Sequence, residues 1–394
     1  MIKISKNSFY SGDSSPLFNR QNSRPIQRFH QRIDGYSATP LVTLNKLAKL
    51  LGIKAVLVKD ESQRFGLNAF KVLGGSYALG QLLAEKLDID INEINFKTVA
   101  SLLPQPMTFA TATAGNHGTG VAWAAREMSQ QAVVYMPKGA SQASVDRIRN
   151  LGAKCIVTDV NYDDTVRLAN QTAQQNNWQL VQDTAWPGYE KIPTWISQGY
   201  MTMAAEAHQQ LDALHITPSH IFLQAGVGAM AGGVLGYFAS AYGADNFTCV
   251  ITEPDQADCI YRSGTSADGK MQVVSGELNS IMAGLACGEP NPVTWPILRD
   301  CSHFFASVSD DIAATGMRVL ANPIGSDKTI ISGESGAISL GLLYALSQCD
   351  NGTELAKYIG LNSESVVLVF SSEGDTNQQR YQDIVVNGRY PLEK

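Results

Sequence analysis

Apolar and polar positions along this chain follow two alternating rhythms. Short continuous apolar runs stand at 55–58, 107–110, 132–136, 155–158 and 178–181, then at 220–224, 247–252, 303–307 and 365–370. Between them, apolar residues recur at helical spacing near 118–128, 142–151, 164–175, 228–241, 310–320 and 336–347. Leu79, Leu82, Leu83 and Leu87 repeat that spacing after the first run. Apolar runs of strand length separated by helical stretches predict parallel strands joined by crossover helices, an α/β fold. Residues 1–40 break the rhythm. They are polar and irregular, with Asn7, Ser8, Pro16 and Pro25, and are expected to wrap the surface or meet another subunit. A short helix is expected to start at Ala38-Thr39-Pro40-Leu41. No repeat, low-complexity tract or proline-rich linker interrupts the chain.

The first strand-like run, Ala55-Val56-Leu57-Val58, leads through the charged turn Lys59-Asp60-Glu61 to Asn68-Ala69-Phe70-Lys71-Val72-Leu73-Gly74-Gly75. Lys71 therefore falls on a turn or first helical turn beyond a strand, between an aromatic and a glycine pair. A lysine desolvated there has a lowered pKa and a neutral amine able to form an imine with a carbonyl. Most of the 30 Lys and Arg residues are ordinary surface charges, so one lysine decides nothing. Two loops add weight. Thr111-Ala112-Thr113-Ala114-Gly115-Asn116-His117-Gly118 runs into an apolar helix with Val121, Trp123, Ala124 and Ala125. Ala225-Gly226-Val227-Gly228-Ala229-Met230-Ala231-Gly232-Gly233 follows Ile221-Phe222-Leu223 and opens another helix. Both have the form of an anion cradle, where backbone N–H groups at a helix N-terminus face a ligand. No Gly-x-Gly-x-x-Gly followed by an acidic residue about twenty positions on supports a nucleotide in the second.

The 394 residues suffice for two domains or one large one. Hydrophobic content of 44% with 17% charged residues is that of a soluble globular protein. A net charge of −6, with no basic run, gives no reason to expect nucleic acid or a membrane surface. No apolar stretch reaches the ~20 residues of a membrane span, and Met1-Ile2-Lys3-Ile4-Ser5 lacks a signal-peptide apolar region. A cytoplasmic protein is the expectation. The six cysteines show no Cys-x-x-Cys spacing, so no metal site is expected. Cys259 and Cys287 lie in loop-like surroundings, but a bond between them is unusual for the cytosol, and free thiols are expected.

A reactive lysine, a Gly-Asn-His-Gly loop and a phosphate cradle, in that order, resemble the tryptophan-synthase-β-like (fold type II) pyridoxal-phosphate enzymes. Longer stretches narrow the resemblance to the diaminopropionate ammonia-lyases. They are Lys59 to Lys71 (Lys-Asp-Glu-Ser-Gln-Arg-Phe-Gly-Leu-Asn-Ala-Phe-Lys), Gln182-Asp183-Thr184-Ala185-Trp186, Lys191-Ile192-Pro193-Thr194-Trp195-Ile196, Glu253-Pro254-Asp255-Gln256-Ala257-Asp258-Cys259 and Ser371-Ser372-Glu373-Gly374-Asp375-Thr376. The resemblance implies two open, twisted α/β domains with the cofactor in the cleft between them. The smaller, 91–210, is inserted into a larger one formed by 1–90 and 211–394. It also implies a homodimer.

What the resemblance implies for chemistry can be placed residue by residue. Lys71 matches the lysine that carries pyridoxal phosphate and moves the substrate's Cα proton, with Phe70 beside the ring. Asn116 matches the partner of the cofactor's phenolic oxygen. Thr113, Gly115 and His117 belong to the loop that receives the substrate carboxylate, though His117 also reads as structural. Gly226, Val227, Gly228, Ala229 and Met230 would wrap the phosphate, Val227 and Ala229 departing from the usual run of glycines. Ser371, Ser372 or Thr376 would meet the pyridine nitrogen. Asp183 is the candidate anionic partner for a β-ammonium, and by itself also reads as a turn cap. Tyr162 and Glu253 are weaker candidates. The implied reaction converts 2,3-diaminopropionate and water to pyruvate and two ammonia. A serine or threonine dehydratase of the same fold and a non-catalytic pyridoxal-phosphate-binding protein are the alternatives. One position departs sharply. Where diaminopropionate ammonia-lyases carry Asp, in Thr-Asp-Gly-Asn-His-Gly, this chain has Ala114. That Asp is associated with proton removal from the D-isomer, on the face opposite the lysine, so restriction to the L-isomer is expected here.

Overall fold

The computed structural model describes residues 1–393. Its strands are β1 (Ile2–Lys6), β2 (Leu41–Thr43), β3 (Ala55–Asp60), β4 (Thr108–Ala112), β5 (Gln131–Met136), β6 (Lys154–Val157), β7 (Gln179–Leu180), β8 (His220–Gln224), β9 (Thr248–Pro254), β10 (Phe304–Val308) and β11 (Val366–Ser371). They form two sheets. Seven strands run in the order β1-β10-β9-β8-β11-β3-β2 and four in the order β6-β5-β4-β7. The smaller sheet is parallel throughout. The larger is parallel inside and antiparallel only at its two edges, β1 and β2. Every residue of β3, β8, β10 and β11 is buried. That is why these strands read as continuous apolar runs and not as alternating ones.

The period of two still decides which face each side chain takes. Leu57, Ile221, Leu223 and Leu368 enter one core, while Val56, Val58, Phe222, Val367 and Val369 enter the other. Helices cover both faces of the large sheet. The helix Val72–Leu87 meets the helix Asn116–Glu127 closely at Gly120, where a Cβ would lie 2.9 Å from the Val72 backbone. That approach sets Lys71 beside the loop that follows β4.

Three sequence expectations need correcting. Residues 1–40 are not wholly irregular: Ile2–Lys6 pairs along β10, and Arg20–Gln31 is a helix burying Ile26 and Phe29. Its apolar positions are too few, and Pro25 too disruptive to the eye, for periodicity to announce it. Around Pro40 the chain forms β2, and the helix begins only at Asn45. The Leu41–Thr43 pairing with β3 overrides the helix-start signal that Thr-Pro gives locally. Glu253 and Ser371, each one residue past an apolar run (247–252 and 365–370), lie within strands and not beyond them.

The charged turn after β3 is locked by a buried ion network. Lys59 Nζ lies 2.8 Å from Glu206 Oε2, and Arg64 Nη2 lies 2.7 Å from the same oxygen and 2.8 Å from Glu61 Oε1. All four side chains are at most 1% exposed. Arg64 and Lys59 hold the Glu206 carboxyl down at about 2 although burial pushes it up. The turn so anchored bends through left-handed conformations at Phe65 (φ 49°) and Asn68 (φ 61°), both unfavourable for non-glycine residues. Glu206→Gln leaves two buried cations short of a carboxylate. It should cost about 3 kcal/mol or more of stability, read as a lower urea midpoint. A loss under about 1 kcal/mol, typical of exposed pairs, would show that water reaches the network.

Candidate active site

A cavity of about 440 Å³ opens where the loops after β4, β5, β8 and β11 converge. Ligands of open α/β sheets bind beyond the carboxyl ends of strands for this reason: loops and helix N-termini meet there. Lys71, Phe70, Thr113, Ala114, Gly115, Asn116, His117, Tyr162, Asp183, Gly226 to Met230, Ser372 and Thr376 all line it. Residues spread over the chain from 70 to 376 are thus brought around one cavity. Ser371 is the exception. It is buried, pairs its hydroxyl with Ser332 at 2.8 Å and does not line the cavity. As the last residue of β11 its side chain takes the opposite face from Ser372. Glu253 is also elsewhere: its carboxylate accepts the N–H groups of Ile260 and Tyr261 and caps a helix.

Lys71 stands immediately before the helix Val72–Leu87, and the Phe70 N–H donates to the Ser372 carbonyl, tying it to the loop after β11. Its Nζ lies 2.6 Å from Asp183 Oδ2. This overturns the expected lowered pKa. Burial does push the lysine down, but the Asp183 carboxylate outweighs it and raises its pKa above the ordinary lysine range. The reverse holds for Asp183. Burial pushes it up, yet His117, when its ring is protonated, and the Lys71 ammonium hold it down at about 2. The two groups form an ammonium–carboxylate pair. Lys71 gains access to its neutral form only when that pair is disturbed.

Around the pair the polar groups are fixed. His117 Nε2 sits 2.8 Å from the Val181 carbonyl, while its Nδ1 faces Asp183 Oδ2 at 3.8 Å. Burial keeps the ring's pKa low, so it is neutral, with its proton on Nε2. Gln182 Nε2 donates to the Tyr162 hydroxyl at 3.0 Å. Burial and then Asp183 raise that phenol above its ordinary range, leaving Tyr162 protonated. Thr113 Oγ1 accepts the N–H groups of Gly115 and Gly118, so this side chain shapes the loop. Asn116 Nδ2 donates to Glu373 Oε2. Phe70 packs on Tyr200 with ring centroids 4.7 Å apart.

On the far wall Gly228 takes φ 94° just before the helix Ala229–Tyr242. A side chain there would strain the backbone and strike Leu298 at 2.7 Å. The helix's first N–H groups have no intrahelical acceptors, and they line the cavity. Val227 and Ala229 leave this cradle intact, because Gly228 alone carries the left-handed turn.

Residues 33–371 match the family described as pyridoxal-phosphate dependent enzyme. The chain belongs to that family. It is 56% identical over 391 residues to the diaminopropionate ammonia-lyase of Escherichia coli, covering 99% of this chain and 98% of that protein. The diaminopropionate ammonia-lyase of Salmonella typhimurium is 49% identical over 387 residues, 96% of this chain and 95% of that one. Among solved structures, that of the Escherichia coli enzyme in complex with an aminoacrylate–pyridoxal-phosphate azomethine reaction intermediate superposes with a TM-score of 0.94 at 54% identity, covering 100% of this chain and 99% of that one. The fold is that of the fold type II members. A threonine deaminase of Solanum lycopersicum shares it at 18% identity and a TM-score of 0.75.

The cavity of this pyridoxal-phosphate enzyme fits its cofactor. The Gly226–Met230 cradle offers N–H donors to a phosphate, Lys71 offers an amine to an aldehyde, and Ser372 and Asn116 offer neutral polar groups between them. Tyr200 OH, Ser335 Oγ, His117 Nδ1 and Arg147 Nε line the same cavity as buried atoms without a hydrogen-bond partner among the described residues. Such orphans are costly unless a polar ligand answers them. Sequence reasoning missed Tyr200, Arg147, Gln224, Glu334 and the stretches 277–281 and 283–287, all of which line the cavity. It quoted Glu373 within a motif but gave it no role. Glu334 was readable only in three dimensions. Burial, then Glu373, lifts its carboxyl to about 7.

The six cysteines are free thiols. Among the described residues no cluster of His, Cys, Asp and Glu is arranged to hold a metal ion. Among the described residues no helix is long and apolar enough to cross a membrane.

Proposed function

We propose that this pyridoxal-phosphate enzyme is a carbon–nitrogen lyase that converts 2,3-diaminopropionate and water to pyruvate and two ammonia. The observation that carries the reading is the Lys71–Asp183 pair at 2.6 Å inside the cavity. Full-length likeness to diaminopropionate ammonia-lyases supports it. Lys71 would hold the cofactor, Gly226 to Met230 its phosphate, Asn116 its phenolic oxygen, and Ser372 or Thr376 its ring nitrogen. Bound there, pyridoxal phosphate supplies an electron sink that lets the Cα hydrogen leave as a proton. The protein's part is to bind, orient and move protons. Once its amine is free and neutral, Lys71 Nζ accepts the Cα proton. Asp183, whose carboxyl its basic neighbours hold below the ordinary carboxylate range, exchanges one ammonium partner for another when a β-ammonium enters. Tyr162 lines the same pocket, its hydroxyl accepting from Gln182 Nε2. His117, fixed by Val181, orients that pocket and takes no proton of its own.

A hydroxyl leaving group needs no buried carboxylate, so Asp183 favours a diamine substrate over serine or threonine. Asp183→Asn should therefore lower kcat/KM for diaminopropionate by about one to two decades, the worth of one charge-assisted contact (~1.5–3 kcal/mol). Serine turnover and cofactor content should change little. With its counter-charge gone, the Lys71 pKa should fall, so cofactor capture by apoprotein should proceed at lower pH. Equal losses on both substrates would reduce Asp183 to a structural cap. Pyruvate release from diaminopropionate and from serine by the purified protein tests the lyase reading, and release from neither refutes it.

We propose further that the four-stranded sheet and its helices form a smaller domain, 91–210, within a larger one of 1–90 and 211–394. The large sheet draws β1 to β3 and β8 to β11 from both ends of the chain, which supports this division. Limited proteolysis tests it. The reading carries with it a cytoplasmic homodimer, and sedimentation of the purified protein measures the assembly.

A further inference from the structure

Arg147 is a cation in the cavity wall that no step above uses. It projects from the helix Gln142–Asn150, which follows β5. Its Nε is buried and has no hydrogen-bond partner among the described residues. Nη1 reaches the Thr376 carbonyl only at 3.5 Å, the outer limit of a hydrogen bond. Nη2 lies 3.4 Å from where a Cβ on Gly115 would stand. The guanidinium thus spans from the loop after β4 to the loop after β11.

The carboxylate that acts on it through charge is Glu373. Both oxygens of Glu373 are already engaged, one by Asn116 Nδ2 and the other by the Ser335 N–H. Burial accordingly dominates and pulls Arg147 below its ordinary range. The side chain as a whole is half-buried, but its Nε is a buried donor left unanswered, which is costly in a folded protein. Its planar pair of donors matches a carboxylate, which it can grip with two parallel hydrogen bonds. The neighbouring position, Ala114, has only a methyl group and supplies no such partner.

We propose that Arg147 binds the α-carboxylate of the amino-acid substrate, beside the backbone N–H groups that open the helix Asn116–Glu127. The assignment rests on the amino-acid lyase reading and deepens it. At neutral pH the carboxylate is the one anionic group of diaminopropionate. The β-ammonium belongs near Asp183, and a guanidinium repels it. Substrate charge and cavity charge therefore agree in only one orientation.

The test is a cycle of two enzymes and two substrates. Holoenzyme and its Arg147→Gln variant are each assayed with L-2,3-diaminopropionate and with its carboxamide, which keeps both amines and removes the negative charge. The wild type should prefer the acid, and in Arg147→Gln that preference in kcat/KM should shrink by about 10- to 100-fold. The loss should fall mainly on KM for the acid, with cofactor content unchanged. Arg147→Lys should recover part of the preference, since a lysine keeps the charge but not the two-pronged geometry. A residue that merely shapes the fold would lower both substrates together. Wild-type turnover of the acid decides the lyase reading separately. Given that turnover, an acid-over-amide preference that is the same in wild type and Arg147→Gln overturns the assignment. If Arg147→Gln fails to fold, the same ratio measured in Arg147→Lys decides, and an unchanged ratio there also overturns it.

Discussion

Replacing Lys71 with alanine or arginine should lower pyruvate formation from diaminopropionate by about 10⁴-fold or more. General-base catalysis alone contributes roughly 10²–10⁴-fold, and the same amine would also hold the cofactor. Neither replacement supplies a neutral amine: alanine has none, and arginine stays protonated. The two variants should nevertheless differ in stability. Lys71→Ala leaves Asp183 as a buried carboxylate without the ammonium 2.6 Å away, which is costly. Lys71→Arg keeps a positive charge beside Asp183 and should unfold closer to the wild type. Borohydride reduction of the yellow wild-type protein, followed by peptide mapping, should place the label on Lys71. A label on another lysine, or full activity in Lys71→Arg, would remove Lys71 from the centre of the site.

The alternation of buried strands and helices was legible because β3, β8, β10 and β11 are covered on both faces and so appear as plain apolar runs. The loops that follow them were legible too, since small residues at helix starts leave a mark in the sequence. Elements whose burial is set by distant partners were not. The helix Arg20–Gln31 hides its packing face among polar residues, and β1 is fixed by its pairing with β10. Within the site, the identity of Lys71 and Asp183 could be read, but not their meeting at 2.6 Å. That contact reverses the expected direction of the lysine's pKa, because a charge partner 112 positions away outweighs burial. Ser371 and Ser372 are neighbours in sequence and face opposite sides of a strand end, so a one-residue ambiguity became a difference between core and cavity. Tyr200 lies in a helical stretch whose residues are nearly all buried, and no pattern separates a cavity wall from ordinary core there.

Ala114→Asp should raise turnover of D-diaminopropionate by about 10²–10⁴-fold, the usual worth of a positioned general base. The two enantiomers, held by the same carboxylate and β-ammonium contacts, present their Cα hydrogens to opposite faces of the cofactor plane. Lys71 would reach one face. A base for the other must come from a different part of the wall, and a methyl group at 114 accepts no proton. The position is open to the change: Ala114 is exposed within the cavity lining and stands outside the left-handed region. Thr113 before it and Gly115 after it already hold the loop through the Thr113 hydroxyl, so the new side chain need not organise the backbone. A cation stands close to the loop: Arg147, whose Nη2 would lie 3.4 Å from a Cβ on Gly115. Pairing with that guanidinium would hold the new carboxylate's pKa down and weaken it as a base. The gain on the D-isomer should therefore be larger in Ala114→Asp combined with Arg147→Gln, relative to Arg147→Gln alone, than in Ala114→Asp relative to wild type. Turnover of the L-isomer, which depends on Lys71, should not rise in either. Pyruvate release from each enantiomer measures all of this, and comparable D and L rates in the unaltered protein would show that another residue already serves the second face.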